Sequence, residues 1–332
     1  MKPSFTRARV VFALVVAIPV ALSAQAGRPG GAGQPAAAAT PLGPDAPFTV
    51  AVATAVVEAA PVYMAKEGPF GPNFQYINGG VRTLANDGAH AAGNATTQML
   101  IVLRDNPKVR LLYTLTNGNY RIVAKKSAGI KTLADLKGKR VVVPRNTSAN
   151  YHLVAMLKSA GLQESDVTLV SAPATGMAAA LAKGDADAIS MWEPESMNAV
   201  AALGNDAVIF QNNKIYRELY SMYSTTDVLN DPRRRAQLLA FTRAIVTHTN
   251  ELKKNPKPYF ELISRVTKHP ADQIERGWEH HDFPLGVESD LLDMIAEEEK
   301  WVAAGQKREP RSRKELEGFI DQSIIKEAMN RK

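Results

Sequence analysis

The sequence has 332 residues, of which 45% are hydrophobic and 7% aromatic, and this suffices for one large or two medium domains with apolar cores. It contains no cysteine, which excludes a disulfide framework and a lipid-modified cysteine. Its formal net charge is +7. The basic residues are dispersed among acidic ones except at Arg233-Arg234-Arg235, which we expect on the first turn of a solvated helix. This distribution disfavours nucleic-acid binding and is compatible with small anionic ligands.

The N-terminal segment is typical of a secretory signal peptide. Three basic residues precede an apolar run from Val10 to Leu22, and Ala24-Gln25-Ala26 has the small-x-small pattern of a cleavage site. The run of about 13 residues is too short for a comfortable membrane span. We therefore predict a signal peptide over residues 1–26 and a periplasmic mature protein. Removing its three basic residues leaves a net charge of 7 − 3 = +4.

After a Gly-, Pro- and Ala-rich stretch over residues 27–46, predicted to be a disordered tether, strands and helices alternate. The first strand, "FTVAVAT" from Phe48, is apolar without polar alternation, as in parallel strands covered on both faces. The alternation continues to about Ile209, and the chain from Pro232 onward reads as mostly helical. This order predicts an α/β fold with mostly parallel sheets flanked by helices. Predicted helices include Val57–Lys66, Val81–Ala85, Thr97–Arg104, Ser148–Ala160 and Ala174–Lys183.

Two segments of the sequence repeat one order of events. In "LANDGAHAAGNATTQ" (84–98) and "LAKGDADAISMWEPE" (181–195), a helix ends in Leu-Ala, a polar turn and a short Ala-rich strand follow, and a polar motif opens the next helix. This internal similarity indicates two lobes built in the same way.

Polar residues open four helices that follow predicted strands. The openings are "NTS" (146–148), "NATTQ" (94–98), "APATG" (172–176) and "MWEPE" (191–195), with Thr147 or Ser148 and Thr96 or Thr97 as candidate caps. The first N–H groups of a helix have no internal partner and bind anions readily, although ordinary capping explains each motif alone. Trp192 could form an apolar wall or pack in the core. Glu193 would repel an anion unless it binds a ligand amine or points away.

The segments "GIKTLADLKGKRVVVPRNTSANYHLVAMLKSAGLQESDVTLV" (129–170) and "ALAKGDADAISMWEP" (180–194) resemble the periplasmic substrate-binding proteins of the nitrate, sulfonate and taurine ABC transporter family. The resemblance implies the two-lobed type II periplasmic-binding-protein fold. Lobe 1 would comprise residues 47–120 and 222–332, and lobe 2 residues 121–221. The chain would cross between lobes near Tyr120–Ala124 and return near Tyr220–Thr225, and the lobes would close by hinge bending.

The same resemblance implies a receptor without catalytic activity, cofactor or metal. It would capture a small anion of the sulfonate, nitrate or carboxylate type and deliver it to an ABC permease in the inner membrane, and we expect it to be a monomer. Arg82 and Arg145 could add positive charge. Carried over by position, the ligand contacts would be Thr54, Ala55, Thr96, Thr97, Gln98, Asn146, Thr147, Ser148, Trp192 and Glu193.

Other functions are less compatible with the sequence. A protein that binds or synthesises a thiamine-pyrimidine precursor shares the fold and remains the main alternative, but that synthesis uses a cysteine-rich segment and this sequence has no cysteine. A DNA-binding regulator would need a helix-turn-helix where the signal peptide stands. His280-His281, with acidic neighbours, lacks the spacing of a metal site, so we expect surface or partly packed histidines. We expect Glu297-Glu298-Glu299 on a solvated helix face.

Overall fold

The structure, a computed structural model, describes residues 46–172 and 176–330. The predicted signal peptide, nearly all of the tether and the start of the helix predicted at Ala174 lie outside these residues. Eleven strands form in the described part of the chain: β1 Phe48–Val52, β2 Phe74–Asn78, β3 Ala91–Ala95, β4 Val109–Gly118, β5 Arg121–Lys125, β6 Arg140–Val142, β7 Thr168–Val170, β8 Ala188–Met191, β9 Ala207–Phe210, β10 Glu218–Thr225 and β11 His281–Asp282.

Helices occupy most of the remaining chain, and from residue 226 onward they predominate as expected. In the described residues they are α1 Ala60–Glu67, α2 Val81–Ala85, α3 Thr96–Val102, α4 Ser148–Ser159, α5 Met177–Lys183, α6 Glu195–Leu203, α7 Thr226–Asn230, α8 Pro232–Lys254, α9 Phe260–Thr267, α10 Ala271–Gly277, α11 Leu291–Gly305, α12 Arg313–Glu317 and α13 Ser323–Met329. Short 3₁₀ turns link several of them, and one, Val57–Ala59, leads directly into α1. Within the described residues, no helix combines the length and hydrophobicity that a membrane crossing needs.

The strands form two mixed sheets. The first sheet has the order β11-β4-β10-β3-β1-β2, and the second has the order β7-β6-β8-β5-β9. In the first sheet β1 lies parallel to β2 and β3, while β10 runs antiparallel to β3 and β4. In the second sheet β6 lies parallel to β7 and β8, while β5 runs antiparallel to β8 and β9.

The two sheets share one strand order, as the repeated segments predicted. Position by position, β2-β1-β3-β10-β4 corresponds to β7-β6-β8-β5-β9, and in each sheet the fourth strand is antiparallel to its neighbours. The repeated segments supply β3 and β8, which occupy the same place in the two sheets. Each sheet has its own apolar core, and every residue of β1 is buried, which explains its unbroken apolar sequence.

The chain passes between the sheets twice within the described region. β4 ends at Gly118 in the first sheet and β5 begins at Arg121 in the second. The return falls between Phe210, the end of β9, and Glu218, the start of β10. The predicted return near Tyr220–Thr225 lies within β10 of the first sheet, a few residues after this crossing. The division of the chain into lobes stays a prediction.

The acidic run on α11 is not the solvated face that we expected. Glu297 is exposed, but Glu298 and Glu299 are buried because they fall on the same helical stripe as Leu291, Ile295 and Val302. The carboxylate of Glu299 accepts hydrogen bonds from both nitrogens of the Arg308 fork and from the side chain of Arg311. A charged group can occupy this stripe because the chain after α11 returns two arginines to it.

The basic cluster at the start of α8 is also less solvated than predicted. Asp231 caps the helix by accepting from Arg234 N at 2.8 Å. The Arg234 residue is buried and its guanidinium donates to Ala46 O at 2.9 Å, while Arg235 pairs with Glu327 at 2.7 Å. The helix therefore uses Arg234 and Arg235 to attach neighbouring segments.

Candidate functional site

The turn after β1 is held to its neighbour strand β2. The Thr54 N–H donates to Asn78 Oδ1 at 3.1 Å, and the Thr54 hydroxyl lies 3.3 Å from the same oxygen. The Ala55 carbonyl lies 3.2 Å from His269 Nε2, and Ala55 is exposed. Four residues after Thr54, the 3₁₀ turn Val57–Ala59 carries a buried glutamate, Glu58, which the sequence analysis did not single out.

The turn after β3 differs from the prediction in its capping. The N-cap of α3 is Ala95, which has no capping side chain, so the expectation that Thr96 or Thr97 caps the helix was wrong. Both threonines are buried in the first turn, and Thr96 lies beside Glu298. Burial raises the pKa of Glu298 to about 8, although hydrogen bonding to the Thr96 hydroxyl acts to lower it. Gln98 is half-buried, and its side-chain amide donates to Asn146 O at 2.8 Å.

The turn after β6 has the predicted cap. Thr147 is the N-cap of α4, and its hydroxyl accepts from Asn150 N at 3.4 Å and donates to Pro144 O at 2.6 Å. Asn146 adopts a left-handed conformation with φ of 59°, which asparagine tolerates better than most residues. Ser148 is buried, with its Oγ 2.9 Å from the Tyr120 hydroxyl.

The turn after β8 holds its tryptophan and its glutamate in two different environments. Trp192 is half-buried and its ring lies 5.9 Å from that of Tyr120. Glu193 is buried, and its carboxylate accepts from Arg121 Nε at 2.7 Å and from Met197 N at 3.1 Å. Pro194 is the N-cap of α6 rather than a first-turn residue. Glu193 thus has an arginine and a helix N-terminus as partners inside the protein. Of the remaining predicted opening, "APATG" (172–176), residues 173–175 lie outside the described chain.

The predicted turns of the two sheets are joined by direct contacts. The Gln98–Asn146 bond connects the turn after β3 with the turn after β6. Tyr120 contacts both Ser148 and Trp192, which connects the two turns of the second sheet. Ser148 Oγ lies 3.5 Å from Glu218 Oε1, on the first strand residue after the chain returns to the first sheet. Whether these residues touch a ligand stays a prediction.

Two buried glutamates lie among these contacts between the two sheets, which we call the junction. Neither glutamate was predicted from the sequence. Burial raises the pKa of Glu218 to about 7. Burial also raises the pKa of Glu58 well above its ordinary value, and the nearby Glu218 carboxyl raises it further. The two positions are 160 residues apart in the sequence, so no local pattern could have paired them. A weak signal was available for Glu58, which is the one charged residue in the apolar stretch from Phe48 to Met64.

Three arginines lie at the edge of the contacts between the two sheets. Arg82, Arg104 and Arg145 line a cavity of about 490 Å³ that also contains the acidic residues Asp105 and Glu164. Arg82 and Arg145 were the two arginines for which we expected a charge contribution. They come from α2 and from the turn before α4, so the cavity lies between elements of the two sheets.

Residues 78–258, more than half of the chain, match the NMT1/THI5-like family. The sequence is 31% identical over 137 residues to the taurine-binding periplasmic protein of Escherichia coli strain K12, a region that covers 40% of this chain and 41% of that protein. The aligned region thus spans about two fifths of the length of this curated relative.

Solved structures with the same fold extend the comparison to nearly the whole described chain. The periplasmic aliphatic sulphonate binding protein SsuA from Escherichia coli superposes with a TM-score of 0.70 at 13% identity, covering 84% of this chain and 98% of that chain. The desulfurization enzyme DszB also shares the fold, with a TM-score of 0.60 at 14% identity over 85% and 99% of the two chains. The expected two-lobed periplasmic-binding-protein fold and the resemblance to nitrate, sulfonate and taurine receptors are confirmed, and the chain belongs to the NMT1/THI5-like family.

Proposed function

We propose that this protein is an extracytoplasmic solute-binding receptor. It captures a small anion of the sulfonate, nitrate or carboxylate type between two lobes and delivers it to the permease of an ABC importer. Export by the N-terminal signal peptide places it in the periplasm. The lobes comprise residues 47–120 with 222–332 and residues 121–221, and they close over the ligand by hinge bending.

The main support for the proposal is a contact between two turns that are predicted to bind the ligand and that belong to different sheets. Gln98 from the first sheet and Asn146 from the second are hydrogen-bonded at 2.8 Å. Gln98 lies in the first turn of α3 and Asn146 lies two residues before α4, so both helices begin near this bond. The first N–H groups of a helix have no carbonyl partner within it. An anion removed from water needs a donor for each oxygen, and N–H groups and hydroxyls at these turns supply such donors.

The named relatives support the ligand class. The taurine-binding protein is described as periplasmic and binds an amino sulfonate, and SsuA is described as a binding protein for aliphatic sulphonates. We therefore expect the residues carried over by position to contact the ligand here: Thr54, Ala55, Thr96, Thr97, Gln98, Asn146, Thr147, Ser148, Trp192 and Glu193.

A binding role fits this sequence better than catalysis. The fold also occurs in a desulfurization enzyme, so the fold alone does not decide the question. The sequence contains no cysteine, so a thiolate nucleophile is not available to it. A receptor needs only a cleft and a hinge, and we propose that the protein releases its ligand unchanged.

Thermal shift measurements with a ligand panel test the proposal. The panel contains alkanesulfonates, taurine, nitrate, small carboxylates and an aminopyrimidine precursor of thiamine. A ligand at 100 times its Kd stabilises the folded state by about 2.7 kcal/mol and raises Tm accordingly. We expect a shift with at least one sulfonate, nitrate or carboxylate and recovery of that compound unchanged by NMR. A shift with the aminopyrimidine alone, or conversion of any panel compound, would contradict the proposal.

A further inference from the structure

The arginine-lined cavity of about 490 Å³ is largely separate from the predicted ligand contacts. Of the ten residues carried over as ligand contacts, Asn146 alone lines this cavity. Its walls come from α2, from the ends of α3 and α11, and from the start of α4. The volume lies in the range of about 300–1,000 Å³ that is typical of small-molecule sites. The cavity is therefore large enough for a ligand of its own.

Acceptor groups along the cavity wall already have donors. Asp105 pairs with Arg104 at 2.9 Å, and Glu164 accepts from Asn150 Nδ2 at 2.6 Å. The carbonyls at the C-terminal end of a helix would also repel an anion. At the end of α3, however, the Ile101 carbonyl accepts from a side-chain amide that follows α11, at 3.1 Å. The protein thus satisfies these acceptors without a ligand.

The positive charge in the cavity is less fully paired. Within residues 46–172 and 176–330, neither Arg82 nor Arg145 forms an ion pair. Arg145 Nη2 donates to Leu169 O at 3.3 Å, and a guanidinium has five N–H donors in all. The three arginines and two carboxylates that line the cavity leave a net charge of 3 − 2 = +1. Guanidinium donors without a carboxylate partner and an excess of positive charge favour an anion as the occupant.

These two arginines belong to opposite sides of the junction. Arg82 is on α2, which follows β2 of the first sheet, and Arg145 is in the turn that follows β6 of the second sheet. The bond between Gln98 and Asn146 joins the same two sides, so it also brings two like charges to one cavity. Like charges repel each other, and an anion between them replaces the repulsion by attraction.

We propose that this cavity is a second anion site, where Arg82 and Arg145 hold a divalent oxyanion of the sulfate or phosphate type between them. A guanidinium can donate two parallel hydrogen bonds to such an ion, and a tetrahedral ion presents oxygen atoms to both arginines. The site goes beyond the proposed function. An ion held from both sides favours the arrangement in which the two sides are in contact. If the proposed function holds, linkage requires that this ion also raises the affinity for the transported ligand.

Titration with sodium sulfate, followed by ¹H–¹⁵N NMR, tests the site without any transported ligand. Sodium chloride keeps the ionic strength constant, and the reporter is the indole N–H of Trp301, which lines the cavity and is assigned by its loss in Trp301→Phe. We expect a saturable shift of this signal. Arg82→Gln and Arg145→Gln should each weaken sulfate binding at least about fivefold. Arg243→Gln, at an exposed position of α8 outside the cavity, should change it less than about twofold.

The arginine variants decide where the ion binds. Both arginines are exposed and have no ion pair in the described chain, so the variants should fold, and thermal unfolding without sulfate verifies this. Sodium phosphate is titrated in the same way to identify the preferred ion. A Trp301 signal that does not saturate with either ion, or equal affinity in both glutamine variants and the unchanged protein, would overturn the second anion site.

Binding of a panel ligand in sulfate tests the coupling. Saturating sulfate should tighten the binding of that ligand by about threefold in the unchanged protein and leave it unaltered in Arg145→Gln. Unchanged or weaker binding in the unchanged protein would contradict the coupling. If no panel compound binds, the proposed function fails, while the NMR titration still decides whether the cavity is an anion site.

Discussion

At the residue scale, the pair formed by Arg121 and Glu193 governs what the turn after β8 can do. Their side chains are 9% and 3% exposed, so both charges are withdrawn from water. Removing one partner of such a pair leaves an uncompensated buried charge. The sequence left two interpretations of Glu193, contact with a ligand amine or an orientation away from the ligand. In the structure its carboxylate accepts hydrogen bonds from Arg121 and from Met197 N.

We predict that Arg121→Met lowers the free energy of unfolding by about 3–5 kcal/mol because Glu193 remains buried without its positive partner. Urea unfolding monitored by circular dichroism measures the change. The double variant Arg121→Met/Glu193→Gln should recover most of the loss, since it removes both charges. A loss below about 1 kcal/mol in the single variant would show that the pair is as weak as an exposed one.

Glu298 gives the protein a pH-dependent stability. Burial raises its pKa from 4.5 to about 8, so between these values the folded state holds a proton that the unfolded state has released. Stability therefore falls as the pH rises through this window, and the loss is complete above the folded pKa. We predict that Glu298→Gln raises Tm at about pH 8.5 and reduces the slope of Tm between about pH 5 and pH 8.5.

Differential scanning fluorimetry across that pH range measures the slope. Glu297→Gln is the control, because Glu297 is exposed on the same helix and pairs with Lys300. Glu58 and Glu218 also have raised pKa values, so a residual slope should remain in Glu298→Gln. A slope identical to that of the unchanged protein would mean that Glu298 is not protonated in the folded state.

At the element scale, local sequence patterns predicted the helices and strands well where the signal was periodicity or capping. α2 was predicted at its observed bounds, and α4 begins at Ser148 after the Thr147 cap. The acidic run of α11 was misread because charge was given more weight than the stripe it shares with Leu291 and Ile295. The partners that neutralise Glu299 come from beyond the helix, and a local pattern contains no information on them.

The candidate site likewise has one part that the sequence predicted and one part that it could not predict. The turns at Thr54, Thr147 and Trp192 follow strands and open helices, and this order is visible in the sequence. Glu58 and Glu218 meet only because β10 returns to the first sheet beside β4. Tertiary contact between distant segments therefore creates the acidic part of the junction, and sequence reasoning could not place it.

We predict that Thr147→Ala lowers the free energy of unfolding by about 1 kcal/mol, because α4 loses the side-chain oxygen that accepts from Asn150 N. The measurement is urea unfolding without added ligand, so that an effect on binding does not enter. Ser165→Ala, at an exposed position that caps no helix, is the matched control and should change stability by less than about 0.5 kcal/mol. Equal effects in the two variants would show that the Thr147 side chain does not stabilise α4 as a cap.

At the scale of the whole molecule, capture of a ligand by this fold requires two lobes that approach each other around it. The Gln98–Asn146 bond joins them in this structure. A hydrogen bond of this kind contributes about 0.5–1.5 kcal/mol, so Gln98→Ala should shift the closed-to-open ratio by about two- to tenfold. Small-angle X-ray scattering without ligand should show a larger radius of gyration in Gln98→Ala, and an unchanged profile would contradict a role of this bond in closure.

The distance between the lobes during ligand titration tests the central claim most directly. Because the sequence has no cysteine, Lys183→Cys on α5 and Glu261→Cys on α9, both exposed, can be spin-labelled specifically. We predict that the ligand found in the panel shortens and narrows the distance distribution measured by pulsed electron paramagnetic resonance, with half of the change at its Kd. Saturating binding that leaves the distribution unchanged would contradict capture between two closing lobes.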